Sequence, residues 1–229
     1  MTSGVEEHVR SLARPASLAE VGGFRPPEDP LSSWFGQIRV GLPGESWPLG
    51  PELPMLPLCQ LNLREAPHRP PALDDVDLIA IWVDQQTLPD DEAANGDGWC
   101  LRAYPSLGGL VPVEPPPERD RFLEPFPIRW HAIEDFPDWE DLSLGGEAIT
   151  EHNALGLTAS YGTKLGGWPS YVQSSLGWWA AHDDAGPEYV LQVDSESKSG
   201  WAWGHDGVGY FGRGTGERRD EWALEWQSL

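Results

Sequence analysis

Residues able to carry chemistry are few and scattered along this chain. Its six histidines include no pair at H-x-x-x-H spacing, the arrangement that turns two imidazoles toward one metal from a helix face. His182-Asp183-Asp184 and His205-Asp206 combine nitrogen and oxygen donors and would suit a cation if the two loops met. Ser195 and Ser197 flank Glu196, but no G-x-S-x-G elbow exposes a hydroxyl to a base. Gly212-Arg213-Gly214-Thr215-Gly216 is glycine-rich yet lacks the Lys-Ser/Thr pair of a phosphate loop. Acidic residues number 37, and nothing in their spacing selects a general acid and its partner. The sequence therefore reads as a non-enzyme with no cofactor and no resident metal.

Binding residues are easier to nominate. Gln60 and Asn62 stand two apart on an apolar stretch, as do Gln192 and Asp194. On a strand, residues i and i+2 share a face, so each pair projects together and must find hydrogen bonds if buried. Such pairs either tie neighbouring loops to the sheet or line a cleft between two halves of the molecule. Trp168, Trp178, Trp179, Trp201 and Trp203 crowd the second half, where exposed rings would stack on sugar faces and buried ones would only pack. The candidate binding set is Gln60, Asn62, Trp168, Gln192, Asp194, Trp203, His205 and Asp206.

The elements that must position these residues are short. With 26 glycines and 23 prolines, turns are frequent and long helices are excluded. Ser3-Gly4-Val5-Glu6 fits a capping box, and Val5, Val9 and Leu12 follow at helical spacing, so a helix should run to about Ala13. Arg14-Pro15 ends it, and prolines 26, 27 and 30 impose an extended connector. Strands are expected at 37–40, 56–63, 78–83, 99–104, 128–133, 189–193, 207–211 and 222–226. The run Leu78-Ile79-Ala80-Ile81-Trp82-Val83 suits a strand buried on both faces. Residues 87–98 and 134–141 read as acidic loops, 105–127 as a proline-rich linker or surface crossing, and 147–155 as a second helix. This partitions the chain into a helix and connector at 1–30 and two β-rich halves at 31–133 and 134–229.

The halves share an order of features. Trp34-Phe35-Gly36, Trp47-Pro48, Gln60-Leu61-Asn62 and the 78–83 strand are echoed by Gly166-Gly167-Trp168-Pro169, Gln192-Val193-Asp194 and Val208-Gly209-Tyr210-Phe211. Gly36 and Gln60 lie 24 positions apart, and Gly166 and Gln192 lie 26 apart, which suggests duplication. At these residues the sequence resembles the YwqG-like family of bacterial proteins of unknown function. The Gly-Gly-x-Pro turn, the two Gln-x-Asn/Asp strands and the Trp203-Gly204 turn carry the resemblance; His205 stands where the family has Asp, and Phe35-Gly36 replaces a Gly-Gly pair. The resemblance implies a sheet-dominated α+β fold with two pseudo-symmetric halves. Because relatives occur beside polymorphic toxin genes, it also implies an immunity protein; it implies no reaction.

Composition narrows the partners. Fifteen bases against 37 acids leave a formal charge of −22, a field that repels nucleic acid and anionic membrane and steers a basic protein inward. No apolar run is long enough to span a bilayer. Cys59 and Cys100 sit among apolar neighbours as free thiols would in a reducing cytoplasm. The sequence thus points to a cytoplasmic interaction protein, with a small-ligand or carbohydrate-binding module as the alternative.

Overall fold

A computed structural model describes residues 4–90, 93–117, 120–142, 144–178 and 186–229. In chain order its elements are α1 (Gly4–Ser11), β1 (Arg14–Val21), β2 (Trp34–Phe35), β3 (Val40–Gly41), β4 (Leu56–Asn62), β5 (Leu78–Val83) and β6 (Trp99–Tyr104). There follow β7 (Val111–Pro112), β8 (Phe126–Asp135), α2 (Glu147–Leu155), β9 (Lys164–Gly166), β10 (Glu188–Asp194), β11 (Val208–Arg213) and β12 (Trp222–Gln227). Ser3 of the expected capping box lies outside the described residues.

Ten strands form one antiparallel sheet in the order β12-β11-β10-β9-β1-β8-β2-β4-β5-β6, and β3 pairs with β7 in a separate ribbon. β5 is buried along its whole length, as its apolar run requires. Ile79, Ile81 and Val83 face the main core, whereas Leu78, Ala80 and Trp82 face a smaller one with Ile38, Val40, Met55 and Tyr104. The main core draws on both ends of the sheet: Leu61, Ile79, Ile81 and Trp99 pack in one cluster with Leu191, Val193, Trp203 and Phe211. The sheet therefore curls until its ends meet, with Trp99 edge-on to Phe211 at 5.9 Å and Trp226 Nε1 donating to Pro89 O at 2.9 Å.

The principal correction concerns residues 14–21. Expected as the end of a helix and the start of a connector, they form β1 at the centre of the sheet. β1 pairs with β8 from Arg14↔Asp135 to Val21↔Ile128 and with β9 from Ala16↔Gly166 to Leu18↔Lys164. Ala, Ser, Leu and Glu give this stretch little strand preference; two flanking ladders impose the conformation. β8 also runs unbroken through positions 133 and 134, so the expected boundary between halves falls within one strand. The 37–40 strand shrinks to β3. The expected crossing at 105–127 contains β7 and the first residues of β8, and between them Gln85 Oε1 accepts from Asp120 N and Arg121 N.

The two flanks of the β1–β8 pair match in register. Trp34 opposes Gln60 and Phe35 opposes Cys59; Lys164 opposes Gln192 and Leu165 opposes Leu191. The β4–β5 ladder shifts between Pro57 and Cys59, and the β10–β11 ladder shifts between Tyr189 and Leu191, each three to five residues before its Gln-x-Asn/Asp unit ends. Gly36 and Gly166 close β2 and β9 with φ of +74° and +71°. A side chain at Gly36 would also meet Glu124 O at 2.7 Å.

The glutamines explain how such short strands hold long loops. Gln60 is fully buried; its Oε1 accepts from Arg39 N and Val40 N, and its Nε2 donates to Pro30 O and Ser32 O. Gln60→Leu strands these backbone groups in an apolar environment and should cost about 4 kcal/mol. Gln86→Leu, at an exposed position, should change stability by no more than about 0.5 kcal/mol. Urea denaturation of both variants checks the difference.

Candidate functional site

The polar pairs nominated from sequence do not converge. Gln60 and Gln192 lie on β4 and β10, with β2, β8, β1 and β9 between them, and each is fully buried beneath its own loop. Gln192 Oε1 accepts from Ser170 N and Tyr189 Oη, while its Nε2 donates to Gly162 O and Ser170 Oγ. Asn62 N donates to Ser33 Oγ at 2.9 Å, and Asp194 N donates to Thr163 Oγ1 at 3.0 Å. Both pairs thus tie loops to strands. Gln85 and Gln227 act in the same way but were not nominated: Gln227 Oε1 accepts from Val172 N and Gln173 N, and its Nε2 donates to Ser174 O. Their signal was a glutamine at or just beyond the end of an apolar strand.

The tryptophans are also committed. Trp203 is fully buried and Trp201 nearly so, and they meet edge to face at 5.1 Å. Trp168 is half-buried, with Arg14 stacked 3.3 Å from its ring centre and its Nε1 donating to Leu12 O. The Gly166-Gly167-Trp168-Pro169 turn has a purpose of its own. Asp135 Oδ2 accepts from Trp168 N and from Lys164 Nζ, both at 2.8 Å, and Oδ1 accepts from Ser160 N. A Cβ at Gly167 would collide with that carboxylate. Burial pulls the Lys164 ammonium below its usual range, opposed by Asp135.

Of the nominated residues, Asp194 and Asp206 share a hollow. Asp194 ends β10, where its Oδ2 accepts from Gly162 N at 3.0 Å and its Oδ1 accepts from Ser195 N at 2.7 Å. Burial raises its pKa, and the negative charges of Glu196 and Asp206 push the same way against these hydrogen bonds. Two concavities meet at Asp194 and Ser195. One of about 430 Å³ is lined by Glu20, Thr163, Glu196 and Lys198, where Lys198 Nζ donates to Val21 O. The other, of about 410 Å³, is lined by Tyr161, Tyr171, Val172, Asp206 and Val208. Both volumes fall in the range of ligand pockets.

This region offers hydrogen-bond acceptors and ring faces. Ser195 Oγ donates to Gly207 O and accepts from Trp203 N, so it is engaged in the turn rather than paired with a base. His205 and Asp206 are exposed. His182, Asp183, Asp184 and Trp179 lie outside the described residues. Among the described residues, no group of three or more His, Cys, Asp or Glu side chains could hold a metal. The carboxylates of Asp194 and Asp206 can accept from a cationic donor beside the Tyr161 ring, which sequence reasoning did not nominate.

Two stability measurements follow. Lys164→Met removes one partner of a fully buried pair and should cost about 3–5 kcal/mol in thermal or chemical unfolding. Asp75 is held at about 2, below its ordinary 3.8, first by its hydrogen bond from Arg213. Its contribution is present above the ordinary value and is lost as pH falls from about 4 toward 2. Asp75→Asn should therefore flatten the acid limb of a stability-versus-pH curve, modestly, because the carboxylate is half exposed.

Residues 113–212 are similar to a family model described as a domain of unknown function, DUF1963. No curated protein matches the chain. The similar stretch begins ahead of β8 and ends within β11, so it holds Asp135, Lys164, Gln192 and Asp194 but neither Gln60 nor Asn62.

Proposed function

We propose that this protein is a non-catalytic, cytoplasmic interaction protein whose negative field engages a basic protein. In keeping with its YwqG-like resemblance, we propose that the partner is a toxin that it neutralises. One observation carries the reading: the described cations are already engaged within the molecule. Arg10, Arg25, Arg64, Arg69, Arg102, Arg129, Lys164, Arg213, Arg218 and Arg219 pair with carboxylates. Arg14, Arg39 and Arg121 lie over indole rings, and Lys198 binds a carbonyl. The surplus of acids has no counterpart, and such a field favours a cationic protein over a phosphate backbone.

The matched registers, the paired bulges and the parallel roles of Gln60 and Gln192 support descent from a duplicated unit. In this proposal the first strand of each copy, β1 or β8, is exchanged into the other. Gln60 reaches Ser32 O and Val40 N; Gln192 reaches Gly162 O and Ser170 N, and in each case the two partners stand eight residues apart. The carbohydrate reading has weaker support, since Trp201 and Trp203 are buried and Arg14 covers Trp168.

The test is a binding series against basic proteins, including the product of a neighbouring toxin gene, from about 20 mM to about 500 mM salt. Association should be rapid at low salt and weaken steeply as salt rises. Absence of binding to any basic protein at low salt would remove this function.

A further inference from the structure

We propose that the hollow beside Asp194 and Asp206 is the point at which the basic partner inserts an arginine side chain. This rests on the interaction reading above and gives it a location and a chemistry. The hollow has a volume of about 410 Å³ and combines apolar walls from Val172 and Val208 with the Tyr161 and Tyr171 rings and two carboxylates. No lysine, arginine or histidine among the described residues lines it. The adjoining concavity differs, because Lys198 stands within it beside Glu20 and Glu196.

Tyr161 supplies the second part of the case. It is 67% exposed, so its ring is open to an incoming group. A ring left at the mouth of a negatively charged hollow offers a face to a planar cation. Tyr171 lines the same hollow, its hydroxyl donating to Asp141 Oδ1 at 2.6 Å. A guanidinium matches the set better than an ammonium. It stacks on a ring through its plane while its edge donates to carboxylates in a fixed fork. Asp194 already spends one lone pair of each oxygen on a backbone N–H, which fixes its orientation and leaves lone pairs for an incoming donor.

The experiment uses the full chain with oligoarginine and oligolysine peptides of equal length, titrated by calorimetry at low salt. Asp206→Asn combined with Tyr161→Ala is the test variant. Both positions are exposed, and asparagine tolerates the φ of +49° at residue 206. Glu52→Gln, at an exposed position in the segment ahead of β4, removes the same charge elsewhere. The expected result is tighter binding of oligoarginine than oligolysine, weakened about tenfold by the test variant and less than about twofold by Glu52→Gln. Amide shifts on titration should gather at residues 161, 171–172 and 206–208. Equal weakening by both variants would make the attraction diffuse and overturn this site while leaving an acidic interaction protein standing. Equal affinity for the two peptides would overturn the guanidinium assignment. If neither peptide binds, the site and the interaction reading fall together.

Discussion

Everything in this fold hangs on the ladder between β1 and β8. It is the longest strand pair in the sheet, running from Arg14↔Asp135 to Val21↔Ile128, and it joins the two flanks. β2 and β9, which border it, are only two and three residues long. Strands this short hold few hydrogen bonds of their own, so they depend on the long central pair for alignment. β1 binds the N-terminal segment to β9, far along the chain, while β8 reaches back to β2. Neither flank is thus complete without a strand from the other's part of the sequence.

Short strands leave much backbone in loops, and buried side chains satisfy it. Gln60, Gln85, Gln192 and Gln227 each present a carbonyl oxygen and an amide nitrogen to a neighbouring loop, mimicking a missing strand. The geometry suits glutamine because one side chain offers two acceptor sites and two donors. Asp135 serves the same end with charge, holding Ser160 N and Trp168 N while Lys164 balances it. These groups are polar for structural reasons, since both glutamines of the conspicuous polar pairs are sealed beneath their own loops.

What remains at the surface is an unbalanced negative charge. Described arginines pair with local carboxylates or lie over indole faces, and the 37 acids outnumber the 15 bases. The hollow beside Asp194 lies where the β10 end, the β11 start and the segments flanking β9 come together. Hydrogen bonds to Ser160, Gly162 and Ser170 set the backbone on either side of Tyr161 and before Tyr171. A region similar to a domain of unknown function covers this part of the chain.

The sequence by itself determined the local segments and the charge. β5 was legible residue for residue as an apolar run, β6 and α2 at their observed bounds, and β10 to β12 within a residue or two, because burial of a strand writes a period into adjacent positions. The pairing of glutamine with Asn or Asp two residues on was also visible, since strand geometry sets that relation locally. Only tertiary structure decided that residues 14–21 are a central strand, for their hydrogen-bond partners lie more than a hundred positions away. It alone decided that Trp201 and Trp203 are core and Tyr161 is surface. An aromatic residue reads the same in sequence either way, and which face it takes depends on how the sheet curls. Net charge adds up along a chain without regard to order; where that charge is left uncompensated depends on which acid each arginine finds in space.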